Sequence, residues 1–285
     1  MGQLSCFAPA KINLYLKVIN KRPDGFHNIK TVFERVNLKD RLYFKTNQNG
    51  IIKIICDHPL IPTGPKNLVY RVAKLLQTEY GIKQGVTVRI EKNIPVAAGL
   101  AGGSTNAAAT LTALNRLWSI GLTSKQMLAH ARQIGSDVAF FLYNTSYALG
   151  TGRGDVIKTL PVKTKLWHVI ALPRMKLYAG EIYGALNLQL TKKDDNANIL
   201  IRQLKKNDIN GISRFLTNDL EDPILKAAPR LENLKEKLVS LGAKGVMISG
   251  SGPSVFGITD SQAQARKIQT DLSRRFKQVY VVCTL

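Results

Sequence analysis

The 285-residue chain is poor in acidic side chains, in cysteine and in long apolar runs. Only 19 Asp and Glu stand against 41 Lys and Arg, for a formal net charge of +22. That excess points to anionic partners: nucleic acid, a membrane surface or phosphorylated small molecules. Cys6, Cys56 and Cys283 form no C-x-x-C pair, which argues against a disulfide framework and for a reducing, cytoplasmic setting. No apolar run approaches the ~20 residues of a membrane span, and no secretory leader is evident. The four histidines are scattered, so no metal-ligand cluster is expected. A Walker A loop, a dinucleotide fingerprint, a Gly-x-Ser-x-Gly elbow and an RNP-type sequence are all missing.

What remains is globular. The chain is 45% hydrophobic and long enough for two modest domains. Residues 1–157 hold 20 basic and 8 acidic side chains and residues 158–285 hold 21 and 11, so neither half is a basic tail. Alternation predicts strands over 5–20, 30–45, 51–56 and 86–90. Helical spacing predicts 67–80, stopped by Gly81, and an Ala-rich helix from Ser104 to Trp118. A further helix is expected over 123–134, with Gly135 in the C′ role. A third begins at Asp137, capped by Ser136. Residues 150–155 read as a turn. Beyond Pro161 the pattern gives strands at 166–172 and near 244–250, and helices near 180–190, 196–206 and 223–240. A helix and strand close the chain. The class is α+β or mixed α/β, with domains over 1–157 and 158–285.

The strongest motif runs Pro95-Val96-Ala97-Ala98-Gly99-Leu100-Ala101-Gly102-Gly103-Ser104-Thr105. Asn93 to Asn115 is free of charge in a very basic chain. A strand leading through glycines into a helix lets backbone N–H groups surround a phosphate; the alternative is a turn whose glycines only permit packing. Asp137 is the one charged residue between Gln133 and Gly152. It is either a general base for phosphoryl transfer or a plain helix-terminal charge. Lys11, in Pro9-Ala10-Lys11-Ile12-Asn13-Leu14, is a point charge for phosphate or a snorkelling edge-strand lysine. Arg22-Pro23-Asp24-Gly25-Phe26-His27 presents an aromatic and an imidazole, suited to a nucleobase or to ordinary packing. Ser249-Gly250-Ser251-Gly252-Pro253 closes over a phosphate or simply joins two strands.

Taken in order, Pro-Ala-Lys-Ile-Asn-Leu, the glycine loop at 95–105 and Ser-Gly-Ser-Gly-Pro resemble the GHMP kinase superfamily. The Asp24-Gly-Phe-His27, Gly135-Ser-Asp137 and Gly152-Arg-Gly-Asp155 elements are similar to the branch whose acceptor is a cytidine diphosphate sugar alcohol. The Asp24-Gly-Phe-His27 element is what sets this resemblance apart from homoserine and mevalonate kinases. The resemblance implies transfer of the ATP γ-phosphoryl group to the acceptor's 2-hydroxyl, in isoprenoid precursor synthesis. It implies Asp137 as the base and Lys11 as its polarising partner. Residues 95–105 would cradle ATP with Mg²⁺, Asn67 would lie near adenine, and Asn13, Phe26, His27 and Tyr183 would hold the cytidine substrate. The implied fold pairs a β-rich N-terminal domain (ribosomal protein S5 domain 2-like) with a C-terminal α/β domain, the active site lying in the cleft between them. The implied partners are small molecules, without nucleic acid or membrane, and the chain is a monomer or weak homodimer. Three positions depart from the family: Ala101 stands where glycine is common, Phe26 where Tyr is usual, and Ala179 where Thr is more usual. The other readings are a GHMP kinase with a different acceptor and a basic nucleic-acid-binding protein.

Overall fold

Long alternating stretches dominate the first 50 residues and become two unusually long strands. The computed structural model describes residues 2–188 and 195–285. In it, β1 spans Gln3–Lys21 and β2 spans His27–Asn47, against the roughly five or six residues usual for a strand. The chain forms two compact units, one of residues 1–10, 38–96 and 101–144, the other of residues 11–37, 97–100 and 145–285. Both long strands therefore contribute to each unit.

In the first unit, β3 (Ile52–Cys56) pairs parallel with β4 (Gly85–Glu91), and β4 pairs antiparallel with β2. One sheet face carries Leu42, Phe44, Val86, Val88 and Ile90, all buried; Lys45 and Arg89 on the other face are exposed. That is the period-2 pattern the sequence shows. The helices are α1 (Leu68–Glu79), α2 (Gly102–Leu117), α3 (Ser124–Ile134) and α4 (Val138–Phe141). α1 packs on α2, and Val72, Leu76, Leu111 and Leu114 are fully buried. Each such side chain contributes about 1.5–3 kcal/mol relative to exposure. A capping box between Thr123 and Gln126 starts α3. The helix ends at Gly135, whose N–H donates to the Ala131 carbonyl and whose φ of 178° is extended backbone open to any residue.

In the second unit, β1 pairs parallel with the short β8 (Thr217–Asn218). β2 pairs with β5 (Tyr147–Thr151), which pairs with β6 (Val156–Leu160). A separate antiparallel sheet has the order β11-β7-β10-β9, from β7 (Trp167–Leu172), β9 (Gly245–Ile248), β10 (Val255–Thr259) and β11 (Gln278–Cys283). The helices are α5 (Ala179–Gly184), α6 (Ala197–Lys206), α7 (Ile209–Arg214), α8 (Glu221–Ala227), α9 (Arg230–Ser240) and α10 (Gln262–Leu272). Leu16, Val169, Ile224, Leu231, Leu238, Ile248 and Ile268 belong to one core cluster.

Several elements differ from the sequence pattern for local reasons. The single helix expected over 223–240 is broken into α8 and α9, because Pro229 lacks an N–H and disfavours helical backbone at Ala228. The helix expected near 180–190 ends at Gly184, and residues 189 and 190 lie outside the described residues. β10 shows no alternation in the sequence, because all five of its residues are buried. Among the described residues, no helix is long and apolar enough to cross a membrane.

Candidate active site

In the first unit, β4 leads through Pro95 and the glycines into α2. Asp40, fully buried on β2, holds the end of that strand: its Oδ1 accepts from the Asn93 and Ile94 N–H groups at 2.8 Å each. Its Oδ2 accepts from Lys92 Nζ at 2.6 Å, and Lys92 also donates to the Ile94 carbonyl. Burial pushes the Lys92 ammonium below its ordinary value, against the pull of Asp40. α2 starts directly above this pair. A Cβ on Gly102 would lie 2.8 Å from Lys92 Nζ, so the first helical residue has to be small.

The helix begins at Gly102, two residues before the expected Ser104, because Ala101 adopts the left-handed conformation (φ 55°, ψ 32°) and turns the chain early. The first backbone bond of the helix runs from Thr105 N to Ala101 O at 3.0 Å. The N–H groups of Gly102, Gly103 and Ser104 precede it and have no intrahelical acceptor. Gly103 is exposed and Ser104 half-buried, so this turn presents donors and a helix N-terminus to an anion. Left-handed backbone costs an alanine ~1–2 kcal/mol, and glycine returns ~0.4–1 kcal/mol of that through a freer unfolded chain. Ala101→Gly is therefore expected to raise unfolding stability by about 0.5–1 kcal/mol in urea titration. No gain would place the strain elsewhere.

Asn67 is the N-cap of α1. Its Oδ1 accepts from Val69 N at 2.8 Å and its Nδ2 donates to the Pro62 carbonyl at 2.6 Å. Both ends of this amide thus serve the local backbone. Asp137 is half-buried at the N-cap of α4, where its side chain makes no capping bond. α4 has four residues, so the helix dipole expected to favour its carboxylate is slight.

In the second unit, Lys11 is 4% exposed and Asn13 is 1% exposed, which removes the snorkelling reading of Lys11. Lys11 Nζ donates to Asn13 Oδ1 at 2.6 Å and stands 5.5 Å from the Phe33 ring centre. The Lys11 backbone N–H donates to the Leu100 carbonyl, which ties segment 97–100 to β1. Ser249 completes the tie: its Oγ donates to the Gly99 carbonyl at 3.1 Å and accepts from Asn13 N at 3.4 Å. One hydroxyl thereby joins three motifs that lie far apart in the sequence. The turn at 249–254 does connect two strands, β9 and β10, and it also packs on the glycine segment. Asn218 Nδ2 holds it by donating to the Ile248 and Gly250 carbonyls.

On the same unit, Phe26 is 52% exposed. The Arg153 guanidinium lies 5.0 Å from its ring centre and is held by Asp155 at 2.9 Å. His27 stacks on Tyr183 with ring centres 5.2 Å apart and planes 27° from parallel. Burial, reinforced by Lys21, pushes the His27 imidazole below its ordinary value. At neutral pH the ring is then uncharged, with one donor and one acceptor nitrogen. Ala179 is exposed in the first turn of α5. Asp40, Lys92, Thr31 and Asn218 carry no local signal in the sequence. Their partners are distant in the chain.

A glycine turn opening a helix, a buried strand lysine and a Ser-Gly-Ser-Gly-Pro turn fastened to the glycines define a small-molecule kinase of the GHMP class. The chain belongs to the GHMP kinase family: residues 67–145 match the model of the GHMP kinases N terminal domain and residues 200–278 that of the GHMP kinases C terminal. It is 41% identical over 281 residues to the 4-diphosphocytidyl-2-C-methyl-D-erythritol kinase of Geobacillus kaustophilus, covering 98% of this chain and 96% of that protein. It is 40% identical over 275 residues to the same kinase of Shouchella clausii, covering 96% of this chain and 92% of that one. A crystal structure of 4-(cytidine 5'-diphospho)-2C-methyl-D-erythritol kinase superposes with a TM-score of 0.84 at 30% identity, covering 99% of this chain and 100% of that chain. Homoserine kinase from Cytophaga hutchinsonii, at 22% identity and a TM-score of 0.80 over 100% of this chain and 95% of that one, shares the fold.

Proposed function

We propose that the chain transfers the γ-phosphoryl group of ATP to the 2-hydroxyl of 4-diphosphocytidyl-2-C-methyl-D-erythritol, giving the 2-phosphate, in the non-mevalonate route to isoprenoid precursors. The full-length relatives at about 40% identity support this activity. The observation that carries the acceptor is the exposed Phe26 next to His27 stacked on Tyr183. Flat rings beside a neutral imidazole suit the face and the hydrogen-bonding edge of a cytosine. Incubation with ATP and this acceptor is expected to yield a single new phosphomonoester at the 2-oxygen by ³¹P NMR. Phosphorylation at another oxygen, or none, would refute the assignment.

In this reading residues 95–105 receive the ATP phosphates on backbone N–H groups, and Asn67 shapes the segment near adenine by fixing the start of α1. Lys11 supplies a fixed positive charge to the transferring group, and Asp137 takes the proton of the acceptor hydroxyl. Asn13, Phe26, His27 and Tyr183 belong to the acceptor side. Among the described residues, no group of three His, Cys, Asp or Glu side chains is placed to hold a metal. Mg²⁺ fits here as an ion held by nucleotide phosphates and water. The proposed domains, 1–157 and 158–285, meet between the segments matched by the two family models. Three cysteines without disulfides support a reducing, cytoplasmic location.

The two pockets are separable by mutation. His27→Ala is expected to raise KM for the cytidine acceptor about tenfold, the worth of one good hydrogen bond, with KM for ATP unchanged. A rise in KM for ATP alone would reverse the assignment.

A further inference from the structure

We infer that Thr31 is a positioning residue for phosphoryl transfer, holding the Lys11 ammonium in place through the side-chain amide of Asn13. This rests on the role proposed above for Lys11. Four groups form a single hydrogen-bonded chain. Thr31 Oγ1 donates to the Tyr15 carbonyl at 2.6 Å, Asn13 Nδ2 donates to Thr31 Oγ1 at 2.8 Å, and Lys11 Nζ donates to Asn13 Oδ1 at 2.6 Å. Thr31 is fully buried, as Asn13 and Lys11 nearly are.

The direction of the chain is forced from both ends. A carbonyl can only accept and an ammonium can only donate. The Thr31 proton is committed to Tyr15, so its oxygen accepts from Asn13, and the amide must turn its nitrogen toward Thr31. Its oxygen is thereby turned toward Lys11. The reversed amide would set one donor against another at Lys11. It would also pull the Thr31 proton away from Tyr15, leaving a buried carbonyl unpaired. In a site closed to water neither loss is compensated.

Thr31 is itself held. It pairs across the sheet with Gly150, and a Cβ on Gly150 would lie 3.0 Å from the Thr31 methyl carbon and 2.7 Å from the Phe33 ring. The methyl therefore faces Gly150, while the hydroxyl is turned to the Tyr15 carbonyl. Lys11 and Asn13 stand two residues apart on one strand and so share a sheet face, within reach of each other and of Thr31. Sequence spacing explains the Lys11–Asn13 contact. Only the paired strands bring in Thr31.

Thr31→Val keeps the shape and deletes the hydroxyl; Thr31→Ser keeps the hydroxyl. Misplacing a charged group at a reacting centre is costly, so Thr31→Val is expected to lower kcat about 10- to 100-fold with KM for ATP unchanged, and Thr31→Ser to stay within about threefold. The side-chain amide protons of Asn13, followed by ¹⁵N NMR without substrates, should exchange slowly in the wild type and in Thr31→Ser and lose that protection in Thr31→Val. A kcat for Thr31→Val within threefold of wild type, or an equal loss in Thr31→Ser, would overturn the inference. So would rapid exchange of the Asn13 amide in the wild type, a result that needs no variant to fold. Failure of the wild type to phosphorylate the cytidine acceptor would count against the proposed function alone, and the amide exchange would then decide the position of Asn13 by itself.

Discussion

Asp137→Asn is expected to cut kcat about 10²–10⁴-fold while ATP affinity stays within about twofold. The substitution is nearly isosteric and removes the charge and the ability to take a proton. It also leaves the start of α4 intact, because the Asp137 side chain is not used as a helix cap. Loss of a helix cap is therefore no part of the effect. Because the proton is needed only when the acceptor hydroxyl attacks, the loss should appear in kcat rather than in KM. ATP titration by calorimetry and single-turnover phosphoryl transfer check the two halves separately. A folded variant with turnover within threefold of wild type would remove Asp137 from the mechanism.

The largest structural effect is expected at Gly99. Its φ is +73°, and a Cβ there would stand 2.1 Å from the Ser249 carbonyl oxygen and 3.2 Å from the Gly252 backbone. These neighbours are main chain and cannot rotate aside. Gly99→Ala combines left-handed strain of ~1–2 kcal/mol with overpacking of ~1–3 kcal/mol, for an expected loss of about 2–5 kcal/mol. Gly103 is the control, since a Cβ there would meet only Leu68 Cδ1 at an ordinary 3.6 Å. Urea unfolding should separate the two alanine variants by at least about 2 kcal/mol. Equal stability would mean that the 249–254 turn does not press on the glycine segment.

These effects mark how far the sequence could be read. The alternation along β1 and β2, the helices beginning near residues 67 and 123 and the glycine-to-helix passage are local patterns, and each has its expected place in the structure. The refinements come from contacts that no window contains. Asp40 and Lys92 meet across 52 residues and Ser249 and Gly99 across 150. The early start of α2 follows from a backbone angle at Ala101 that an alanine rarely adopts. Thr31 reads as one more strand residue until the paired strands set it against Asn13. The identity of the kinase was legible because its motifs are local; the machinery that holds them was not.

The net charge of +22 is borne largely by surface cations such as Lys45, Lys53 and Arg89, whereas the residues assigned to chemistry are mostly backbone and neutral side chains. If that charge steers anionic substrates, kcat/KM should fall steeply with ionic strength. A flat response would reduce it to solvation.

The measurement that bears most directly on the whole account is kcat/KM for ATP-dependent phosphorylation of 4-diphosphocytidyl-2-C-methyl-D-erythritol, homoserine and mevalonate, side by side at one salt concentration. The account predicts turnover of the cytidine compound with preference by at least about 10³-fold, because neither small acid carries the cytosine ring proposed to meet Phe26, His27 and Tyr183 and so neither gains that binding energy. Comparable or faster phosphorylation of homoserine or mevalonate would contradict it.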